Sequence, residues 1–213
     1  MQKDDFSLRN YKRCLEDSLS LGYNFLTLND YFCNQTDSEK NIILRHDIDT
    51  QLDIAVEMSN IENILNIRST YFVRLHSHAY NFLCLKDLRK IKKIINNNHE
   101  IGLHYESDFY VLNNKDINKS IQIESNIIEY FCNIKVKTIC PHEPTRTNCF
   151  NLENINYNQA YDEKLFKKYK YISDSSCRWR DGSFYENIHE GHKNLYILTH
   201  PYWWYNNSPI ENY

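Results

Sequence analysis

The sequence predicts an α/β fold with a mostly parallel sheet or barrel. Two observations support this prediction: short β-rich runs alternate with amphipathic helical patterns, and no linker, repeat or low-complexity segment divides the chain. A chain of 213 residues is long enough for one domain with a substantial core. We therefore expect a single domain over 1–213, in which residues 1–40 form a helical extension packed on the rest.

The first half of the chain contains three predicted helices and three predicted strands. Residues 7–21 place Tyr11, Leu15 and Leu19 at helical spacing, and Gly22 ends that helix. The following TLNDYF carries a capping pattern that indicates a short turn. Strands rich in β-branched and aromatic residues follow at 41–48, 69–75 and 99–105, and helices with an apolar stripe lie between them at 51–66 and 85–96.

The second half continues the alternation. A helical pattern covers 114–131, and β-rich runs follow at 136–140, 168–175 and 194–200. Because the carboxyl ends of parallel strands meet at one edge of a sheet or barrel, the residues directly after these runs are the first candidates for a functional site.

Five of these strands end in aspartate or histidine. The residues concerned are Asp47 and Asp49 after the first strand, His104 in the third, and then His142, Asp174 and His200. Core strands gain nothing from such ends unless the side chains converge on one site. This donor set suits a borderline divalent ion, zinc first, with cobalt, nickel, manganese or iron as alternatives.

The spacing within these clusters suggests a division of roles. Asp47 and Asp49 are two apart, and at a strand end the chain can splay them, so that one binds metal while the other takes a proton from water. His104 and Asp108 are four apart and would grip one ion if the segment between them turned into helix. The side chain of His46 should point to the other face of its strand and be structural.

Several of these segments resemble the ordered motifs of the polysaccharide deacetylases, the carbohydrate esterase family four enzymes with the nodulation-type deacetylase domain. The segments are HDID, HEIGLHYESD, PHEPTR, YISDSSCRWRDG and LTHPYWW, and they extend from about residue 40 to residue 204. The chain is most similar to the divergent branch found among bacterial surface-polysaccharide genes, where His-Asp-x-Asp replaces Thr-Phe-Asp-Asp. The resemblance implies an irregular (β/α) barrel and metal-dependent removal of N- or O-acetyl groups from sugars.

The resemblance also implies roles for the residues of the first two motifs. Asp47 corresponds to the general base and Asp49 to a metal ligand. The family's second motif, His-x-x-x-His, is His104 to Asp108 here, so aspartate replaces the second histidine. Asp108 is the expected third ligand, and Glu106 competes with it for that role.

The later motifs supply the remaining expected roles. Either His142 or Arg146 takes the place of an arginine that orients the base, and Asp174 orients the general acid His200. The other expected substrate-binding residues are Arg178, Trp179 and Leu198, of which Leu198 would line the acetyl-methyl pocket, and Trp203, which either packs in the core with Trp204 or forms a sugar-stacking platform.

Composition narrows the function classes. A net charge of −3 without a basic stripe argues against nucleic acid, and no apolar run is long enough to span a bilayer. The polar N-terminus lacks a signal-peptide pattern, and seven scattered cysteines without Cys-x-x-Cys favour reduced thiols and a cytoplasmic location.

These observations together predict a cytoplasmic, metal-dependent deacetylase. Its expected substrate is an amino-sugar, a nucleotide-sugar or a lipid-linked saccharide in surface-polysaccharide assembly. The alternatives are a deformylase or cyclic-amide hydrolase on the same scaffold, and an inactive saccharide-binding module. The pair His76 and His78 in RLHSHA is expected to lie in a solvated loop.

Overall fold

The computed structural model describes residues 5–33 and 39–209. The parts of the expected N-terminal extension at 1–4 and 34–38 lie outside the described residues. The strands are β1 Asn24–Leu26, β2 Asn41–Ile48, β3 Thr70–Val73, β4 Glu100–Tyr105, β5 Thr138–Pro141, β6 Asn158–Gln159, β7 Lys170–Ser173 and β8 Asn194–Thr199. The helices are α1 Leu8–Ser20, α2 Leu28–Phe32, α3 Leu52–Ile64, α4 Leu85–Asn96, α5 Ser107–Leu112, α6 Ile117–Cys132, α7 Pro144–Thr147, α8 Glu163–Lys168 and α9 Phe184–His189, with a 3₁₀ helix at Pro201–Trp203.

The described strands form one parallel sheet that curls into a half-barrel. Their order is β6-β5-β4-β3-β2-β8-β7, and β1 pairs with the first residues of β2. The Tyr196 hydroxyl on β8 donates to the carbonyl of Ala160, directly after β6, at 2.9 Å. Since β5, β4, β3 and β2 stand between these strands in the sheet order, the contact requires a strongly curved sheet. The predicted α/β fold and its irregular barrel are therefore confirmed.

The central strand β2 is buried on both faces, and its alternation separates two environments. Ile42 and Leu44 face the helices, whereas Ile43 packs inside the half-barrel. His46 also faces the helices, where its Nε2 lies 3.1 Å from a carboxylate oxygen of the buried Glu62. The expectation that His46 is structural and points away from the site is confirmed.

Two segments differ from the sequence-based expectation. TLNDYF forms helix α2 rather than a turn, because Thr27 and Asp30 make a capping box, with each side chain accepting from the other's backbone N–H at 3.0–3.1 Å. The strand expected at 168–175 is shorter, since the N–H of Tyr169 still bonds to the carbonyl of Leu165 at 2.8 Å and extends α8. The expected N-terminal helical extension also contributes a strand, β1, to the sheet.

No helix in the described ranges is both long and apolar enough to cross a membrane.

Candidate active site

The carboxyl ends of the central strands open into a cleft of about 1220 Å³. Asp47, Asp49, His104, His142, Leu198 and His200 all line this cleft. The predicted convergence of the strand ends is therefore present in the structure. The cleft contains three groups of side chains, each with its own chemistry.

The first group is a buried carboxylate and the arginine that holds it. Arg45 and Asp47 stand two apart on β2 and share its inner face. The guanidinium of Arg45 donates from Nε to Asp47 Oδ1 at 2.8 Å and from Nη2 to Oδ2 at 2.7 Å. Burial raises the pKa of the Asp47 carboxyl, but Arg45 and, less strongly, His104 outweigh this effect and lower the pKa to about 2. Asp47 is thus ionised at neutral pH.

Arg45 is itself fully buried and satisfied by more than its partner carboxylate. Its Nη1 donates to the Tyr196 hydroxyl at 2.9 Å, and its Nη2 lies 3.0 Å from the sulfur of Cys140 and 3.3 Å from the Tyr161 hydroxyl. Burial lowers the pKa of Arg45, but Asp47 raises it well above its usual range. The arginine that holds the Asp47 carboxylate therefore comes from the same strand as Asp47 itself.

The second group is a triangle of potential metal ligands from three strand ends. His104 Nε2 lies 3.4 Å from Asp49 Oδ1 and 3.3 Å from His142 Nδ1, and His142 Nδ1 lies 3.1 Å from Asp49 Oδ1. A tetrahedral ion with bonds of 2.0–2.1 Å holds its donor atoms about 3.3 Å apart. Asp49, His104 and His142 therefore fit one divalent ion of zinc size.

The hydrogen bonds around this triangle favour the same assignment. His104 Nδ1 lies 3.0 Å from the carbonyl of Cys140, so this nitrogen carries the proton and Nε2 presents its lone pair to the triangle. Asp49 Oδ1 is buried without a hydrogen-bond partner among the described residues, as a carboxylate oxygen that serves as a ligand would be. Burial raises the pKa of Asp49, but the rings of His104 and His142 hold it well below its usual range.

A second cluster of donor atoms, Asp47, His104 and Cys140, is less suited to an ion. The Asp47 carboxylate is already paired with Arg45, and the same guanidinium lies 3.0 Å from the Cys140 sulfur. Burial raises the pKa of the Cys140 thiol well above its usual range, whereas a thiolate is the form that binds metal.

The structure places the two expected third ligands elsewhere. Asp108 lies in the first turn of α5, and its Oδ2 accepts from Arg146 Nη1 at 2.6 Å. Glu106 pairs with Arg74 at 2.6 Å. His104 lies in β4, which ends at Tyr105, and α5 begins only at Ser107, so Asp108 does not share a helix face with His104. Neither acid joins the triangle of described residues.

The third group is a histidine held by a buried aspartate. His200 Nδ1 lies 2.6 Å from Asp174 Oδ1, and the backbone N–H of His200 donates to the same carboxylate. The Trp204 indole N–H donates to Asp174 Oδ2 at 2.9 Å, so Trp204 belongs to the core that positions the pair. Burial lowers the pKa of His200, but Asp174 and, less strongly, Asp49 and Asp47 outweigh it and raise the pKa to about 9. His200 is therefore cationic at neutral pH, with Nε2 available to donate.

The remaining residues expected to bind substrate divide between cleft and core. Leu198 and Trp203 line the cleft, and the indole N–H of Trp203 is buried without a partner among the described residues. Trp179 instead stacks on Phe6 in the core with ring centroids 6.2 Å apart. Arg178 is exposed and does not line the cleft, and Arg146 is held at the surface by Asp108 and Glu143.

Several residues of the site were not expected from the sequence. The most important is Arg45, although RHDID places it two residues before Asp47 and therefore on the same face of a strand. Tyr161 and Phe166, whose rings stack at 5.9 Å, also line the cleft, as does the exposed Arg180. Nothing in the periodicity of this part of the chain places these side chains at the cleft.

Comparisons with known proteins bear on the fold. No protein-family model and no curated protein sequence matches the chain. A family 4 carbohydrate esterase from Bacillus anthracis superposes with a TM-score of 0.53 at 17% identity, over 90% of this chain and 76% of that one. The Streptococcus pyogenes deacetylase PplD, in complex with acetate, gives 0.50 at 14% identity, over 95% and 83% of the two chains.

A family 4 pseudoenzyme from Bacillus anthracis is also similar, with a TM-score of 0.46 at 15% identity over 82% of this chain, which spans only 60% of the length of that protein. Identities this low carry information about the fold alone. The chain has the curled α/β fold of the family 4 carbohydrate esterases, the polysaccharide deacetylases.

Proposed function

We propose that this chain is a metal-dependent hydrolase that removes an N- or O-acetyl group from a saccharide. The observation that carries the proposal is the arrangement of the cleft: a triangle of ligand atoms with edges of 3.1–3.4 Å, with the ionised Asp47 and the cationic His200 in the same cavity. Base, ligands and acid are the three parts that acyl hydrolysis needs. The fold, shared with deacetylases, supports the same class of reaction.

Asp49, His104 and His142 would hold the ion. When bound, a divalent ion acts as a Lewis acid that lowers the pKa of water and polarises an acyl carbonyl. Asp47 accepts the proton of the attacking water through its carboxylate. Because its pKa is about 2, Asp47 is unprotonated at neutral pH and can act as the proton acceptor.

His200 completes the reaction on the leaving-group side. Its Nε2 gives its proton to the departing amine or hydroxyl, and the imidazole is then left neutral. Asp174 keeps Nδ1 protonated, so that Nε2 is the nitrogen that transfers the proton. Leu198, which is buried at the floor of the cleft, offers an apolar contact for the acetyl methyl group.

The biological setting is part of the proposal. An amino-sugar, nucleotide-sugar or lipid-linked saccharide in surface-polysaccharide assembly is the proposed substrate class, and zinc is the proposed ion. All seven cysteines are free, which supports a reducing compartment such as the cytoplasm.

The experiment combines metal content with acetate release. Untagged protein is stripped of metal, reloaded with zinc and compared with Asp47→Asn, His142→Ala and Asp108→Ala. Asp108→Ala is the control, because it removes a carboxylate that lies outside the triangle. We expect about one ion per chain in the wild type, Asp47→Asn and Asp108→Ala, and none in His142→Ala. A panel of N- and O-acetylated saccharides should yield acetate with the wild type and not with Asp47→Asn.

Two outcomes would contradict the proposal. Metal retained by His142→Ala and lost from Asp108→Ala would overturn the ligand set. Zinc binding without release of acetate from any saccharide would instead favour a deformylase, a cyclic-amide hydrolase or an inactive binding module.

A further inference from the structure

Residues 74–80, the first part of the connection between β3 and α4, contact the end of the central strand β2. This segment contains the RLHSHA motif at 74–79, in which His78 is exposed to solvent as expected for a surface loop. His76 is instead half-buried, and Arg74 and the following Tyr80 are buried. None of these side chains lines the cleft. Their contacts nevertheless reach the residue that the proposed metal centre depends on.

Two hydroxyl groups of this segment bind consecutive backbone carbonyls at the end of β2. The Tyr80 hydroxyl donates to the carbonyl of Ile48 at 3.0 Å, and the Ser77 hydroxyl donates to the carbonyl of Asp49 at 2.8 Å. These carbonyls belong to the peptide groups on either side of the Asp49 Cα. Because peptide groups are planar, fixing both of them fixes φ and ψ of Asp49 together.

The segment is anchored to the rest of the molecule at two points. At its start, the Arg74 guanidinium donates to Glu106 at 2.6 Å, and its Nη1 lies 3.7 Å from Asp49 Oδ1. In its middle, His76 Nε2 lies 2.7 Å from the buried Glu124 carboxylate of α6.

One ring contact and one backbone hydrogen bond hold the segment in addition to these anchors. The His76 imidazole stacks on Phe109 of α5 with centroids 3.9 Å apart. The backbone N–H of Arg74 donates to the Tyr80 hydroxyl at 2.8 Å, which closes the segment on itself. The two hydroxyls that hold the Asp49 backbone are therefore on a braced support and not on a free loop.

We propose that Ser77 and Tyr80 are positioning residues that set the backbone of Asp49 and so determine the affinity of the site for its divalent ion. This inference rests on the proposed metal centre. Groups behind a metal ligand that orient it typically change metal affinity by 10- to 100-fold when they are removed. Neither hydroxyl touches the cleft, so the effect of Ser77 would act through the backbone of Asp49; that of Tyr80 would act through the same backbone and through Arg74, whose backbone N–H bonds to the Tyr80 hydroxyl.

The test is a zinc-binding titration against a competing chromophoric chelator. We expect Ser77→Ala and Tyr80→Phe each to weaken zinc binding by about tenfold or more. Ser77→Thr keeps the hydroxyl and should bind zinc like the wild type. The control is Ser18→Ala, because the Ser18 hydroxyl also donates to a backbone carbonyl, that of Cys14 at 2.7 Å, but lies in α1 away from the cleft.

Unfolding midpoints of the same proteins separate positioning from general loosening. Equal zinc affinity in the wild type, Ser77→Ala and Tyr80→Phe overturns the inference, and so does an equal loss of affinity in Ser18→Ala. A wild type that binds no zinc overturns the metal centre itself and this inference with it. Because the two hydroxyls are removed in separate variants, failure of one to fold leaves the other to decide.

Discussion

Replacing Arg45 by methionine is expected to reverse the effect of the Asp47 carboxylate on stability: the ionised carboxylate stabilises the wild type at neutral pH and should destabilise the variant. In the wild type, the Asp47 carboxylate is 3% exposed and receives two hydrogen bonds of 2.7–2.8 Å from a guanidinium that is fully buried. Methionine fills much of the same volume but supplies no charge. The variant therefore keeps a buried carboxylate without its cation.

The magnitude comes from the pKa of Asp47, which is about 2 in the folded protein against an ordinary 3.8. This difference contributes about 2 kcal/mol of stability at neutral pH. Since the folded pKa is the lower one, the contribution is complete above about pH 3.8 and is lost as the pH falls towards 2. Without Arg45, burial remains and raises the pKa above the ordinary value, so the ionised carboxylate opposes folding at neutral pH.

The assay is urea unfolding of metal-free protein at several pH values between about 4.5 and 8, on Arg45→Met, Asp47→Asn and the double variant. Loss of one partner of a buried ion pair costs about 3–5 kcal/mol, so Arg45→Met should be that much less stable than wild type at pH 7. Its deficit should shrink as the pH falls and Asp47 takes up a proton. The double variant has no titratable side chain at position 45 or 47 and should show no such recovery. A deficit that stays constant with pH, or an equal recovery in the double variant, would refute the reasoning.

Two further substitutions test His200 as the general acid and the packing inside the half-barrel. Asp174→Asn should lower acetate release by on the order of 10²-fold or more. It should also move the basic limb of the pH profile to lower pH, because Asp174 raises the pKa of His200, and an unchanged limb would remove His200 as the acid. Gly102→Ala should destabilise the fold by about 1–3 kcal/mol in urea unfolding, since a Cβ there would collide with the Phe72 ring and lie 2.7 Å from Thr138 Oγ1; a loss below about 0.5 kcal/mol would show that the interior can yield.

The fold could be predicted from the sequence because its signal is periodic. The helix expected at 85–96 and the strand expected at 41–48 match α4 and β2 in the structure. The missed elements are short: β6 has two residues, and β1 has three. Segments of two or three residues are too short for a period-2 alternation to stand out from the surrounding sequence, and they form only because the neighbouring strand offers them backbone partners.

The sequence predicted the site residues that lie at strand ends, but it predicted less well those in the loops that follow the strands. His142 was recognised, but for another role, because the resemblance drew attention to the spacing of His104 and Asp108. The sheet instead brings His104 and Cys140 into register on neighbouring strands, so the residue two beyond Cys140 arrives beside His104. The register between two strands is set by tertiary structure, and the sequence pattern of a single strand does not predict it.

The same alternation explains why Arg45 can replace an arginine from a later motif. A side chain two residues before Asp47 on β2 lies on the same face, so its guanidinium reaches both carboxylate oxygens without help from a loop. The neighbouring residue His46 falls on the opposite face and joins Glu62, away from the cleft. The pleat of one strand thus separates the Arg45–Asp47 pair in the cleft from the His46–Glu62 pair among the helices. The orientation of the Asp47 carboxylate therefore depends on β2 itself and should be insensitive to changes in the loop that carries His142.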